Sequence, residues 1–343
     1  MRNLKDTAPS PESSEAILAE RKKRMLGPRA VVFFLISIVL VGVLLWKMDI
    51  AQALSSFRNA HLGWVLVACC AYFLSNFCKA VRYRAMLRHL NIGLFEMFAI
   101  TSYQNFYNQI MPARTGELTL VYYLKTLGNA KISKGLHVLL VTRIYDFIIV
   151  AAFFVGSVAL YYGRKSSPAL VAAGVGFLLF SIAVLFYLKH IIRWGMDFFN
   201  LTMRALGLEK KKLVMKFNEK MEPVVREFVE YDTLKEVPVL VLTSVLVWSV
   251  LYVFAYVTIL AWRVEINFLL SIAGSTGQVL ANVLPINSFG SFGTLEAGWA
   301  GGYMLAGMKR QDAIATAFGY HIINFIASGF IAAVCYGILK IKK

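Results

Sequence analysis

Two segments of this chain repeat each other and set carboxylates next to helix breakers in apolar surroundings. The first, NQIMPARTGELTLVYYLKTLG, starts at Asn108, and the second, ANVLPINSFGSFGTLEAGWAGGYMLAG, starts at Ala281. Pro112, Gly116 and Glu117 in one answer Pro285, Gly293 and Glu296 in the other. A broken helix frees backbone amides, and with Arg114 beside the first break such amides suit a phosphate or a carboxylate. Glu117 and Glu296 could meet a cationic headgroup, carry a proton or cap a half-helix. The apolar segment after each break matches without gaps at an offset of 178 residues, which sets Arg143, Asp146 and Phe147 on His321, Asn324 and Phe325. Arg143 and Asp146 stand three apart on one helical face, either lining a path or clamping neighbouring helices. His321 reads as a proton relay or as a packing histidine, with Asn324 on the same face. The candidate substrate-binding residues are therefore Arg114, Gly116, Glu117, Arg143, Asp146, Pro285, Gly293, Glu296, His321 and Asn324. Their structural alternative is a symmetric knot in which Arg114 pairs with Glu117 or Glu296.

The elements that position these residues are membrane helices. The chain is 58% hydrophobic and only 16% charged, with a mean hydropathy of +0.63, where a soluble domain carries about a quarter charged residues. Runs 30–46, 62–78, 168–188 and 237–262 hold no charge, 313–339 holds only His321, and 136–162 carries Arg143 and Asp146. About 20 residues cross a hydrocarbon core of ~30 Å, so each run spans. The segment 94–111 is apolar but sprinkled with Tyr103, Gln104, Asn105, Asn108 and Gln109, and 118–127 is too short to cross alone. Residues 94–130 and 267–307 thus read as re-entrant hairpins, broken at Pro112–Gly116 and Pro285–Gly293. The expected fold is an all-α polytopic membrane protein with about six spans plus two Pro/Gly-broken re-entrant hairpins.

The net charge of +17 follows topology rather than nucleic acid. With the N-terminus inside and each hairpin returning to its own side, 27 of the 36 Lys and Arg fall on inner segments and seven on outer loops. That is the positive-inside pattern of a cytoplasmic (inner) membrane protein with both termini cytoplasmic. It makes equivalent spans run in opposite directions, so repeat one (about 62–162) and repeat two (about 237–340) are inverted repeats with a site expected near the bilayer midplane. Residues 1–29 read as a polar cytoplasmic leader, and 30–47 as a signal anchor rather than a cleaved signal peptide. Residues 189–235 mix both charges with Phe, Leu, Met and Val, as amphipathic helices on the inner leaflet do.

Other chemistry is disfavoured. Cys69, Cys70, Cys78 and Cys335 lie in helices as small apolar residues, neither a disulfide framework nor a metal site. No Ser-His-Asp spacing, HExxH or paired Cys/His pattern occurs, and Gly290–Gly293 lacks the strand and lysine of a nucleotide loop. No cofactor, metal or enzymatic activity is expected. Trp46, Trp64, Trp248, Trp262 and Trp299 read as interfacial belts.

The element at Pro112–Glu117 and the LP…G..G..E element at Leu284–Glu296, with the chain length, resemble the lysylphosphatidylglycerol synthase transmembrane region family over residues of about 30 to 340. That family forms the flippase domain of multiple peptide resistance factor proteins and has stand-alone members. The resemblance implies translocation of aminoacylated or otherwise modified phospholipid between leaflets. The sequence ends at Lys343 without the soluble synthase domain of the full-length factors, so the expectation is moving a lipid, not making one. The second element departs in reading Asn287-Ser-Phe, which leaves the headgroup open. The alternatives are a carrier of polyprenyl-phosphate-linked sugars and a non-transporting membrane partner of a lipid-modifying enzyme. The partners implied are membrane phospholipid, a separate lipid-modifying enzyme or glycosyltransferase, and a second copy of the chain.

Overall fold

A computed structural model describes residues 58–88, 90–163, 168–230, 236–283 and 289–341. The leader, the anchor at 30–47 and Pro285 lie outside the described residues. Everything described is helix and connecting turn, with no strand. Repeat one comprises α1 (Leu62–Met86), α2 (Leu94–Ile110), a 3₁₀ helix (Pro112–Glu117), α3 (Leu118–Gly128) and α4 (Ile132–Tyr162). Then come α5 (Pro168–Ala205) and α6 (Lys212–Glu230). Repeat two comprises α7 (Val237–Ala261), α8 (Phe268–Val283), a short 3₁₀ turn (Phe289–Ser291), α9 (Thr294–Leu305) and α10 (Arg310–Ile341).

Five of these helices, α1, α4, α5, α7 and α10, are long and apolar enough to cross a membrane. Their outward faces carry residues such as Leu242, Leu246, Ile326 and Phe330, exposed as lipid-facing side chains are. α5 corrects the expected span of 168–188. It runs on unbroken to Ala205, 38 residues in all, or about 57 Å. Its second half absorbs part of the segment expected to lie flat, and only α6 remains as a separate amphipathic helix.

Helix directions are fixed by side-by-side contacts. The His61 amide, at the start of α1, donates to the Ala261 carbonyl at the end of α7 (2.8 Å). Tyr72 stacks near Phe254 with ring centroids 5.6 Å apart, and Arg82 reaches Ser244 near the start of α7 (2.9 Å). The equivalent spans α1 and α7 are therefore antiparallel, as inverted repeats require. α4 runs parallel to α7, because Asp146 meets Trp248 (3.0 Å) and Phe153 meets Tyr252 (5.3 Å). Since α1 and α4 run oppositely, the segment between them begins and ends on one side, and α2–α3 is a re-entrant hairpin. At the other half, the Trp262 ring at the end of α7 lies against Gly319, in the first third of α10, so α8–α9 returns likewise. The halves interlock: α4 packs on α7 and α8 of repeat two, and α10 packs on α1 and α2 of repeat one.

In lipid, helices gain little from hydrophobic burial and associate through close packing, which favours small residues. A Cβ on Gly302 would stand 2.1 Å from the Gly274 carbonyl oxygen, and one on Gly277 would stand 2.7 Å from the Gly302 Cα. α8 and α9 therefore touch backbone to backbone. In repeat one a Cβ on Gly116 would lie 2.4 Å from the Asn108 amide nitrogen, so the first break folds tightly back on α2.

Candidate functional site

The antiparallel crossing of α1 and α7, with α4 and α10 alongside, encloses a polar cavity of about 180 Å³ near the middle of the helices. Its wall includes Lys79 from α1, Asn105, Asn108 and Gln109 from α2, Arg143 and Asp146 from α4, Gln278 from α8 and Asn324 from α10. Ionisable groups at this depth are costly unless paired or wet, and here each has a built partner.

Asp146 is nine-tenths buried and held from two helices. Arg82 Nη1 donates to its Oδ1 at 2.6 Å and Nη2 to its Oδ2 at 3.3 Å, while the Trp248 indole donates to Oδ1 at 3.0 Å. Arg82 also donates to Ser244 Oγ, and its side chain is 2% exposed. This corrects two expectations. Lys79 and Arg82, two of the 27 Lys and Arg counted on inner segments, belong to α1 inside the bundle, although the inner excess of positive charge survives their removal. Trp248 is a half-buried hydrogen-bond donor at the cavity rather than a belt residue, and Trp299 is fully buried, donating to Thr316 at 3.1 Å. A cation placed three residues after Lys79 in a helix that still has apolar neighbours was the available signal for Arg82.

Arg143 and Asp146 share a face without pairing to each other. Arg143 instead forms a short ion pair with Glu117 of the first break. The second break repeats that contact with different chemistry: His321 Nδ1 lies 2.5 Å from Glu296 Oε1, with both residues essentially unexposed. Glu296 Oε2 also accepts the Gly293 amide at 2.7 Å, a capping box at the start of α9. Gly293 takes a φ of 84°, a backbone that side-chain-bearing residues rarely adopt, and Gly290 takes 68°. That amide is therefore satisfied by the chain's own carboxylate rather than left for a ligand.

Of the candidate residues, Arg143, Asp146 and Asn324 line the cavity. Glu117 stands one contact behind it, and Glu296 with His321 lies beside its wall residues Leu295, Tyr320 and Asn324. Gly116 acts through close packing. Arg114 lies on the 3₁₀ helix, which runs on into α3 without opening a separate helix N-terminus, and its side chain is outside the described residues. Lys79, Arg82 and Gln278 lie outside the two repeated segments that start at Asn108 and Ala281 and so are not among the candidates, and Asn105 stands out in the sequence only as a polar residue of the 94–111 segment. Asn105 donates to Asn76 in a short hydrogen bond, and Lys79 reaches the Asn105 Oδ1 at 3.4 Å. On the far side of α8 an apolar groove of about 340 Å³ runs between α4, α5, α8 and α9, walled by residues such as Val150, Phe154, Leu280 and Leu305. No group of three or more His, Cys, Asp or Glu able to hold a metal occurs among the described residues.

Against known proteins, the family model described as lysylphosphatidylglycerol synthase TM region matches residues 30–332. The UPF0104 membrane protein PH1989 of Pyrococcus horikoshii is 22% identical over 332 residues, covering 90% of this chain and 96% of that protein. No solved structure matches.

Proposed function

The chain belongs to the lysylphosphatidylglycerol synthase transmembrane region family, and from that premise we propose that it moves a phospholipid between the leaflets of the cytoplasmic membrane. Membership ties the chain to membrane lipid. The finer reading rests on one observation, the polar cavity enclosed halfway along the spans at the junction of two inverted repeats. Lys79 and Arg143 supply cations for a phosphodiester, and five amide side chains from three helices supply neutral donors and acceptors. Asp146, already shared by Arg82 and Trp248, remains close enough to meet an ammonium on a modified headgroup. α4 and α8 wall both this polar cavity and the apolar groove, so headgroup and acyl chain each have a matching surface on the same two helices.

The chemistry asked of the protein is substitution of hydration, with no bond made or broken. Each charge-assisted hydrogen bond lost at the headgroup costs about 1.5–3 kcal/mol, which is roughly ten- to a hundredfold in rate or affinity. The test is a vesicle assay in which the purified chain is reconstituted and labelled lipid crossing is timed by surface quenching. Acceleration over empty vesicles, slowed at least tenfold by Lys79→Met, is the expected result. No acceleration with any anionic or aminoacylated lipid would end the transport reading and favour a partner of a lipid-modifying enzyme.

A further inference from the structure

The repeats place the same contact at two equivalent positions and fill it differently. In repeat one a carboxylate at the break, Glu117, pairs with a side chain on the following span, Arg143, 26 residues on. In repeat two Glu296 pairs with His321, 25 residues on, and His321 is the residue that the 178-residue offset sets on Arg143. A guanidinium stays charged at every accessible pH, whereas an imidazole gains or loses its charge near neutrality. We infer that Glu296 and His321 form a proton-binding site, the titratable counterpart of the permanently neutralised Glu117–Arg143 pair.

Three observations carry this beyond a packing histidine. The His321 Nε2 is buried and has no hydrogen-bond partner among the described residues, so Nδ1 carries the ring's hydrogen bond while the Phe292 ring packs against it at 4.4 Å. Glu296 is 0% exposed, and a buried carboxylate is tolerated only when its charge is met. The Gly293 amide and the start of α9 favour the anion on one oxygen, and His321 closes on the other. With Glu296 ionised and His321 neutral the pair carries one negative charge. One added proton brings it to zero, whether that proton resides on ring or carboxyl, because a pair this close titrates as a unit. The second half then matches the Glu117–Arg143 pair. Asp146 and Asn324, the next aligned residues, add no further difference, since Arg82 already neutralises Asp146.

The ionisable groups facing the adjoining cavity are Lys79 and Tyr72 of α1, Arg143 and Asp146 of α4, Tyr252 of α7 and Tyr320 of α10. From α2 and α8 come only amides and hydroxyls. Arg143 is met by Glu117 and Asp146 by Arg82, so neither pair presents a net charge to His321, while the Lys79 cation opposes a positive charge there. Protonation at Glu296–His321 therefore answers to what occupies the cavity, and a bound phosphate promotes uptake. That link rests on the transport reading, but the proton site does not.

The experiment is a ¹⁵N-histidine NMR titration of the full chain reconstituted in lipid, from about pH 8 to 5. The His321 signal is assigned by its loss in His321→Arg, or in a chain where the other four histidines are replaced. The expected result is uptake of one proton within that window, displaced to lower pH by at least one unit in Glu296→Gln. Should Glu296→Gln fail to fold, Glu296→Asp gives a smaller displacement of the same sign. A His321 signal unchanged across the window, or one that titrates identically in both carboxylate variants, overturns the proposal. Vesicles that move no lipid while His321 titrates would remove the transport reading and leave the proton site standing.

Discussion

Asp146 concentrates the energetics of the site, since it is shared by a guanidinium from α1 and an indole from α7. Removing one partner of a buried ion pair leaves the other charge uncompensated, at a cost of about 3–5 kcal/mol. Arg82→Met should therefore destabilise the solubilised protein by that order, read as a large fall in thermal midpoint. Adding Asp146→Asn to Arg82→Met should recover much of the loss, because the pair is then replaced rather than broken. A double-mutant cycle gives the coupling directly, and independent additive effects would mean the pair is not formed. Glu117 and Arg143, with side chains 19% and 29% exposed, should show weaker coupling than Arg82 and Asp146. At this scale the positions of Arg143, Asp146, Glu296 and His321 were legible from the repeat, but their partners were not. Helical spacing fixes which face a side chain occupies, and only packing decides which neighbour it meets.

The hairpins depend on backbone contact at a few glycines. Gly116→Ala and Gly302→Ala each force a methyl into backbone atoms at 2.4 and 2.1 Å and should cost about 1–3 kcal/mol or more. Gly301→Ala is the control, since its Cβ would meet nothing within 4 Å, and it should be neutral or slightly stabilising. Thermal unfolding of the three variants in one detergent compares them. Equal stability across the set would mean that the hairpins do not pack as described. The breaks were legible because Pro and Gly interrupt helices by themselves, whereas the run of α5 to Ala205 was not. Lys189, Arg193 and Asp197 look like a loop in a hydropathy profile, yet a helix longer than the ~30 Å core carries such residues comfortably beyond it.

For the whole molecule, antiparallel α1 and α7 predict which loops share a side. Single cysteines at Arg88 and Lys131, in a background without the native cysteines, should react with an impermeant maleimide from one face. Cysteines at Arg263 and Lys309 should react from the other, and charge bias predicts that the first face is the cytoplasmic one. Labelling of Arg88 and Lys131 from opposite faces would mean that α2–α3 crosses. The sequence by itself determined the membrane class, the two broken segments and the repeat, because hydropathy, Pro/Gly punctuation and an ungapped offset are local properties that need no partner. Even the inverted sense of the repeats followed from where Lys and Arg fall. Only the tertiary structure decided that Lys79 and Arg82 turn inward, that Trp248 holds Asp146, and that the two breaks close onto Arg143 and His321. Those contacts join residues 25 to 162 positions apart, and they exist because crossing helices bring distant faces together. The repeated carboxylates lie just behind the wall of the cavity. The packing of α4 and α10 across the opposite halves gives one of them a fixed cation and the other a titratable one.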